Sequence, residues 1–182
     1  LYCCIYEFGI LILDVSDPTN PVELGAYYDN FGQCNDVAIE NGVAVFADEY
    51  DGIGILNVED PSNPELYTKF LDHGLATRVI VRDNLAYLVD RAGGLEIFNI
   101  TNPAAPRKIG QYSEPNLNVI SATIQDNLAV LSAFEKGLFF LNISDPTAPK
   151  KISSYNDGYH PMAAVLEDTY LYVASFNHSV QI

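Results

Sequence analysis

Three carboxylates lie close together in the segment Asp48-Glu49-Tyr50-Asp51, which ends at Gly52. Calcium prefers oxygen ligands and takes about six to eight of them. The segment lacks the alternating Asp-x-Asp-x-Asp-Gly spacing and the distal Glu of an EF-hand. A calcium site at Asp48, Glu49 and Asp51 is therefore one hypothesis, and a solvated acidic loop is the other. No other cofactor is expected.

The three histidines of the chain, His73, His160 and His178, fall in segments of similar polar and aromatic character. Zinc would accept them if three separate loops converged. Aromatic rings beside carboxylates and amides are also typical of carbohydrate or peptide binding. We predict a ligand-binding set made of Asp48, Glu49, Tyr50, Asp51, His73, Arg91, Tyr159, His160 and His178.

Catalytic motifs are not recognisable in this sequence. It has no nucleophile elbow, no phosphate-binding glycine loop and no spaced pair of histidines on a helix. A glycosidase would need two paired carboxylates, and no pair stands out among 24 acidic residues. A non-catalytic binding or scaffold protein is the favoured interpretation. An extracellular hydrolase or lyase acting on carbohydrate stays open as the alternative.

The net charge of −15 makes this an acidic chain, with only 9 Lys and Arg. An acidic surface repels phosphate backbones, so we expect no nucleic-acid partner and instead a protein, peptide or carbohydrate ligand. No apolar run approaches the roughly 20 residues that span a bilayer, so no membrane insertion is expected. Cys3, Cys4 and Cys34 fit no metal-binding spacing. Buried free thiols are the favoured interpretation, and a Cys4–Cys34 disulfide stays open.

An internal repeat of 42 to 43 residues places these side chains. Prolines at 18, 61, 103 and 146 follow one another at steps of 43, 42 and 43. Each proline follows an apolar run that begins at a glycine. A fixed period of this length is the signature of a repeat architecture such as a propeller or solenoid.

Each unit is predicted to contain four short strands, a to d. In the second unit they cover about 36–40, 43–48, 53–58 and 65–71, and their β-branched and aromatic residues favour strands. Strand a contains a continuous apolar run, such as Val37–Ile39 or Val79–Val81, which predicts that it is the most buried strand. Strand d should be the most exposed. It carries most of the basic residues, which we expect to protect an open edge, namely Lys69, Arg107, Lys108, Lys150 and Lys151.

The connections between strands differ in how far they repeat. The a–b and c–d connections are nearly identical in every unit, as structural turns are, whereas the b–c and d–a connections differ. We call the two kinds of sheet end the repeated end and the variable end. Repeat scaffolds place specificity in their variable loops, so we expect any ligand, and the deepest concavity, at the variable ends.

Gly9-Ile-Leu-Ile-Leu-Asp-Val-Ser-Asp-Pro-Thr-Asn-Pro-Val22 and Ala86-Tyr-Leu-Val-Asp90 resemble the consensus of the LVIVD-repeat family. The third copy departs from it, with Asn102 where the other copies have Asp. The resemblance implies a β-propeller in a secreted or cell-surface protein. It implies no agreed activity and no catalytic residues.

The fold expected from these observations is an all-β propeller region of four-stranded antiparallel blades. Complete blades are expected at about 36–71, 77–113 and 119–155, and partial blades at 1–28 and 162–182. Neither a four-blade nor a five-blade ring uses every strand once. We therefore expect an open arc that is a fragment of a larger ring, with the remaining blades as a partner.

Overall fold

The computed structural model describes residues 1–5, 8–28, 32–71 and 74–176. Regular structure in these ranges is β-strand apart from one 3-10 turn at Phe134–Lys136, which confirms the all-β prediction. No helix in the described residues is long and apolar enough to cross a membrane.

The first two sheets contain seven strands. The first sheet has the order β1 (Tyr2–Ile5), β2 (Gly9–Asp14) and β3 (Val22–Tyr28). The second has the order β4 (Cys34–Glu40), β5 (Val43–Asp48), β6 (Gly52–Asn57) and β7 (Glu65–Phe70). Neighbouring strands pair antiparallel. The strands of the second sheet lie within two residues of the bounds predicted for strands a to d.

Three further sheets follow in the chain. The third contains β8 (Ala76–Arg82), β9 (Leu85–Asp90), β10 (Gly94–Asn99) and β11 (Arg107–Tyr112). The fourth contains β12 (Ser121–Gln125), β13 (Leu128–Ser132), β14 (Leu138–Asn142) and β15 (Lys150–Tyr155). The fifth pairs β16 (Pro161–Glu167) with β17 (Tyr170–Ser175). The predicted strand c of this last unit lies outside the described residues.

Burial across a sheet does not follow the prediction that strand a is the most buried. In the second sheet β5 and β6 are almost wholly buried, whereas β4 is mostly half-buried. The prediction was wrong because strand a borders its own sheet and pairs with one strand only, whereas strands b and c are covered on both sides. The outermost strands are the most exposed, as predicted, and every residue of β15 is exposed.

The core lies between successive sheets. In the first part of the chain, Ile10 and Ile12 of β2 pack with Phe46 of β5 and Leu56 of β6. Later in the chain, Val130 of β13 belongs to a second cluster formed with residues of β14, β16 and β17. Burying a large aliphatic side chain stabilises by about 1.5–3 kcal/mol, so each such residue packed between two sheets stabilises the fold.

A disulfide links the first sheet to the second. Cys4 of β1 and Cys34 of β4 are bonded, with their Cα atoms 5.3 Å apart. Cys3 is a half-buried free thiol. The interpretation of these two cysteines as free thiols was therefore wrong. Adjacent residues of a strand point to opposite faces, and only Cys4 is on the face that packs against β4.

The chain divides into two compact units. The first contains residues 1–88 and 99–107, and the second contains 89–98 and 108–182, so the division runs through the third sheet. The sequence predicts one propeller region over 1–182, and that organisation stays a prediction. The sites below are therefore described within one unit or the other.

Candidate ligand-binding site

The c–d connections at the repeated ends share one hydrogen-bond pattern. The last residue of strand c accepts the backbone N–H two residues further on, at 2.8–3.0 Å, through the side-chain oxygens of Asp14, Asn57, Asn99 and Asn142. Three residues later a second side chain does the same for its own turn, at Asp17, Asp60, Asn102 and Asp145. Such side-chain bonds to the backbone fix a turn.

These hydrogen bonds also act on the acidity of the turn carboxylates. The hydroxyl and backbone N–H of Ser62 hold the pKa of Asp60 below its ordinary value of 3.8. Thr19 and Thr147 lower the pKa of Asp17 and Asp145 in the same way. The side chains of the repeated ends are thus committed to the turns themselves.

The a–b connections are hairpins whose first residue adopts positive φ, and in two of them the second residue does so as well. Asn41 and Gly42 have φ of 50° and 76°, and Asp83 and Asn84 have 54° and 59°. Glu40 then accepts the N–H groups of Asp83 and Asn84, both at 3.0 Å. The repeated end of the second sheet therefore also binds the next hairpin.

Asp48, in the predicted ligand set, is committed to an ion pair at the variable end of the second sheet. It is 1% exposed, and its Oδ2 lies 2.7 Å from Lys69 Nζ. Its Oδ1 accepts the backbone N–H of Gln33 at 2.7 Å. Lys69 also lies 5.9 Å from the centre of the Phe46 ring. These contacts give Asp48 a structural role.

The other residues of this loop are arranged differently. The carbonyl of Glu49 accepts the N–H of Ala76 at 2.8 Å, so the loop is held through its backbone. Tyr50 is 63% exposed. Asp51 lies 3.8 Å from Lys69. Of the three, Tyr50 presents the largest free surface to a ligand.

The calcium hypothesis for Asp48, Glu49 and Asp51 gains no support from this arrangement. The ammonium group of Lys69 already lies against Asp48 and within 3.8 Å of Asp51, and a positive charge there disfavours a second cation. In the described part of the chain, no group of three or more His, Cys, Asp or Glu side chains is placed to hold a metal. Calcium at this loop stays a prediction.

Arg91 lies in the b–c connection of the third sheet. The preceding residue, Asp90, is buried and accepts the N–H of Ala92 at 2.9 Å as well as that of Gly93. Arg91 itself is exposed. Its carbonyl accepts the N–H of Val119 at 3.1 Å. The turn thus has a fixed backbone and an outward-facing guanidinium side chain.

Three lysines of the outer strands form ion pairs with carboxylates. Lys69 pairs with Asp48, Lys108 Nζ lies 2.5 Å from Glu96, and Lys151 Nζ lies 2.5 Å from Glu114. A carboxylate removed from water needs such a counter-charge. The role of the outer-strand basic residues in edge protection stays a prediction. Arg107 and Lys150 remain exposed.

Glu114 is the best-paired acid of the fourth sheet's variable end. The hydrogen bond from Lys151 and then that from the Tyr112 hydroxyl lower the pKa of Glu114. Burial first, and the hydrogen bond to Glu114 second, raise the pKa of Tyr112. A lowered carboxyl pKa is the opposite of what a general acid requires, so Glu114 is a structural anchor.

His160 is placed against an aromatic side chain that the sequence did not bring forward. Its ring centre lies 4.5 Å from that of Phe134, in the 3-10 turn of the b–c connection. Phe176 follows at 6.2 Å from Phe134 in an edge-on arrangement. Asn116 and Lys136 lie nearby, on the wall of a cavity of about 250 Å³ that Phe134 also lines.

Tyr159 lies beside a different cavity, of about 540 Å³. Its backbone N–H is bonded to Asp157 at 3.0 Å, and the cavity walls are mainly apolar, with Leu138, Phe140 and Val173. A further cavity of about 410 Å³, lined by Gln125, Asn142 and others, lies at the repeated end of the fourth sheet. Concavities therefore occur at both ends, not at the variable ends alone.

The predicted set thus falls into two groups. Asp48, Glu49, Tyr50 and Asp51 belong to the first of the two compact units, which contains residues 1–88 and 99–107. Arg91, Tyr159 and His160 belong to the second. His73 and His178 lie outside the described residues, so convergence of three histidines stays a prediction.

Phe134 and Asn118 were missed, and loop length was the signal that could have found them. The connection from β11 to β12 has eight residues, 113–120, whereas the other d–a connections, at 29–33, 71–75 and 156–160, have five. The connection from β13 to β14 has five residues, 133–137, against three at 49–51 and 91–93. The longer d–a connection and the longer b–c connection line the same cavity.

Comparison with known proteins gives a family and a fold. The sequence matches the family described as LVIVD repeat over residues 2–29, 31–72, 73–114 and 123–157. No curated protein matches the chain.

The chain is similar in fold to two solved structures of computationally designed proteins. The chain is similar to the crystal structure of Ika8, with a TM-score of 0.79 at 10% identity over 98% of this chain and 53% of that one. It thus spans about half the length of Ika8. It is also similar to Ika4, with a TM-score of 0.72 at 12% identity over 88% of this chain and 96% of that one. At such identities the likeness concerns the fold alone, a β-propeller-like repeat array.

Proposed function

This chain belongs to the LVIVD repeat family, and we propose that it is a non-catalytic binding propeller that recognises its ligand through the variable ends of its sheets. The repeat array supplies a rigid scaffold, and the b–c and d–a loops supply the contacts. A protein, peptide or carbohydrate is the expected ligand.

The contrast between the two ends of the sheets carries this proposal. At the repeated ends an Asp or Asn side chain makes the same turn bond in each of the four described c–d connections. At the variable ends each loop has a different composition and exposes different groups, such as Tyr50 and Arg91. Loops that a scaffold does not need to keep alike are free to acquire specificity.

We further propose that the protein acts outside the cytoplasm, at the cell surface or in secreted form. The support is the Cys4–Cys34 disulfide, since such bonds persist in oxidising compartments and are rare in the cytosol. The strongly acidic composition, net −15, favours neutral or basic ligands and disfavours nucleic acid.

A thermal-shift screen of the purified chain tests the binding function. The panel consists of soluble glycans, short peptides, and calcium and zinc salts. A ligand that binds only the folded state raises Tm. Tyr50→Ala, Arg91→Ala and His160→Ala should then be compared for each hit.

The matched control is Asn127→Ala, which removes an exposed amide from the a–b hairpin at the repeated end. We expect at least one variable-end variant to reduce the shift and the control to keep it. Loss of binding only in Asn127→Ala would show that the ligand sits at the repeated end. Release of sugar products from a glycan hit would favour the hydrolase or lyase alternative instead.

A further inference from the structure

The cavity at the variable end of the fourth sheet is formed by two connecting loops. Its volume is about 250 Å³, and it is lined by Asn116, Asn118, Ala133, Phe134, Glu135 and Lys136. It forms where both connecting loops are longer than their counterparts in the other units, at 113–120 and 133–137. The extra residues therefore create a concavity that the repeat itself does not supply.

The backbone of this cavity is held in an unusual conformation. Phe134 has φ of 38° and Asn116 has φ of 55°. Positive φ is tolerated by Asn but is a genuine outlier for a bulky aromatic residue, and such outliers cluster at functional sites. The ring of Phe134 contacts that of His160, at 4.5 Å between ring centres.

The two loops are also tied together. Lys136 Nζ donates to the carbonyl of Pro115, so the 3-10 turn is joined to the 113–120 loop. Asn156 donates to the carbonyl of Glu135 at 3.0 Å. These bonds fix the cavity walls before any ligand arrives, which lowers the entropy cost of binding.

Three polar side chains in the wall are uncommitted. Among the residues that the structure describes, the amides of Asn116 and Asn118 and the carboxylate of Glu135 make no hydrogen bond or ion pair. An amide offers both donors and acceptors, and a carboxylate offers acceptors only. The wall also holds one cation, Lys136, and one anion, Glu135, so it favours neither charge.

We propose that this cavity binds a single pyranose residue of a neutral carbohydrate. The C–H face of the sugar would pack on the Phe134 ring, and neighbouring hydroxyls, each a donor and an acceptor, would bond to Asn116, Asn118 and Glu135. The volume is below the roughly 300–1,000 Å³ of pockets for drug-sized ligands, which fits one sugar unit. The proposal rests on the binding function proposed above and assigns it a site and a ligand class.

The test uses the full chain and the methyl glycosides of glucose, galactose, mannose and N-acetylglucosamine. Saturation-transfer NMR detects binding of each glycoside, and titration gives Kd. Asn116→Gly with Asn118→Ala removes both amides, and glycine keeps the positive φ available at residue 116. Phe134→Leu removes the ring and keeps much of the bulk. Asn127→Ala is the matched control.

We expect at least one glycoside to bind, the double variant and Phe134→Leu each to weaken it at least tenfold, and Asn127→Ala to change Kd by less than about twofold. Circular dichroism of each variant separates lost contacts from lost fold. If a glycoside binds with unchanged Kd in both folded cavity variants, the cavity is not the sugar site.

If no glycoside binds while a peptide from the thermal-shift panel does, and its shift is reduced by Tyr50→Ala, the carbohydrate proposal is wrong and the binding function stands. If neither glycosides nor any other panel member binds, both proposals are contradicted together.

Discussion

The repeated end and the variable end of the sheets are stabilised by different kinds of contact. At the repeated ends one device recurs: an Asx-type side chain accepts a backbone N–H two residues away, in every c–d connection. At the variable ends the contacts differ: a disulfide at Cys34 and an ion pair at Asp48 in the second sheet, a capping carboxylate at Asp90 in the third, and a tilted aromatic contact at Phe134 in the fourth.

This difference explains how the loops of one repeat can diverge without loss of the fold. Each variable loop is held by a stabilising contact inside its own neighbourhood, so a change in one does not require a change in the others. One turn hydrogen bond contributes about 0.5–1.5 kcal/mol, whereas a disulfide contributes about 2–4 kcal/mol and removal of one partner of a buried ion pair costs about 3–5 kcal/mol. We therefore expect mutations at the repeated ends and at the variable ends to change the free energy of unfolding by different amounts.

Removal of the disulfide should have the largest effect. Cys4→Ser is expected to lower the free energy of unfolding by about 3–4 kcal/mol, since a cross-link that closes a loop of this length restricts the unfolded chain by that amount. The two cysteines are 30 residues apart in sequence. Urea denaturation followed by circular dichroism measures the change.

Cys3→Ser is the control, because Cys3 is a free thiol on the same strand. Equal stability of the Cys4→Ser and Cys3→Ser variants under oxidising conditions would contradict a structural role for the bond.

Loss of the buried carboxylate at position 48 should come next. Asp48→Ala leaves Lys69, whose side chain is 21% exposed, without its main partner, and leaves the N–H of Gln33 without its acceptor. Removing one partner of a buried ion pair costs about 3–5 kcal/mol. Because Lys69 is partly exposed, we expect the free energy of unfolding to fall by about 3 kcal/mol.

Asp51→Ala is the matched variant in the same loop. Its side chain is 42% exposed and lies 3.8 Å from Lys69, so we expect a loss of under about 1 kcal/mol. A larger loss for Asp51→Ala than for Asp48→Ala in thermal or urea unfolding would reverse the assignment of the structural acid.

A change at the repeated end should cost less. Gly42 has φ of 76°, and Gly42→Val places a β-branched residue where the left-handed region costs about 1–2 kcal/mol. Gly42→Asn should be milder, because Asn84 occupies the matching hairpin position with φ of 59°. Equal unfolding free energies for the Val and Asn variants would show that this hairpin does not depend on positive φ.

The smallest expected effect is a change in how stability depends on pH under acidic conditions. The folded pKa of Asp60 lies below its ordinary value of 3.8, so its turn bond stabilises fully above that value and the contribution is lost as pH falls through the lower, folded pKa. Asp60→Asn keeps an acceptor and removes the titration, as Asn102 already does in the third unit.

The triple variant carries Asp17→Asn, Asp60→Asn and Asp145→Asn. We expect its Tm to fall less than that of the parent protein as the pH decreases from about 5 to about 2. Thermal melts across that range measure the difference. Parallel curves for the two proteins would indicate that other groups control the acid response.

The repeat made the fold predictable, and the one-off contacts could not be predicted. Strand positions follow from the apolar runs and the recurring turn residues, which depend on local sequence alone. The partners of Asp48 and Cys4 lie 21 and 30 residues away, and nothing in the repeat specifies such pairings. Burial of strand a was misjudged because an apolar composition does not reveal how many neighbouring strands cover it.

The candidate site was predicted only in part. The turns expected to be structural do share recurring hydrogen bonds, whereas ligand binding by the variable loops stays a prediction. His160 lies against another side chain of such a loop. Phe134 was overlooked because it stands out by its backbone conformation and not by its residue type. Loop length, which is countable in the sequence, would have directed attention to it.

The Cys4–Cys34 bond has a mechanical consequence. It joins β1 to β4 covalently, across the boundary between the first and second sheets. A pulling force applied at residue 1 can peel only the residues before Cys4 from β2, because at Cys4 the force passes through the bond into β4. The bond therefore acts as a clamp, and tension on the leading strand is shared by the four strands of the second sheet.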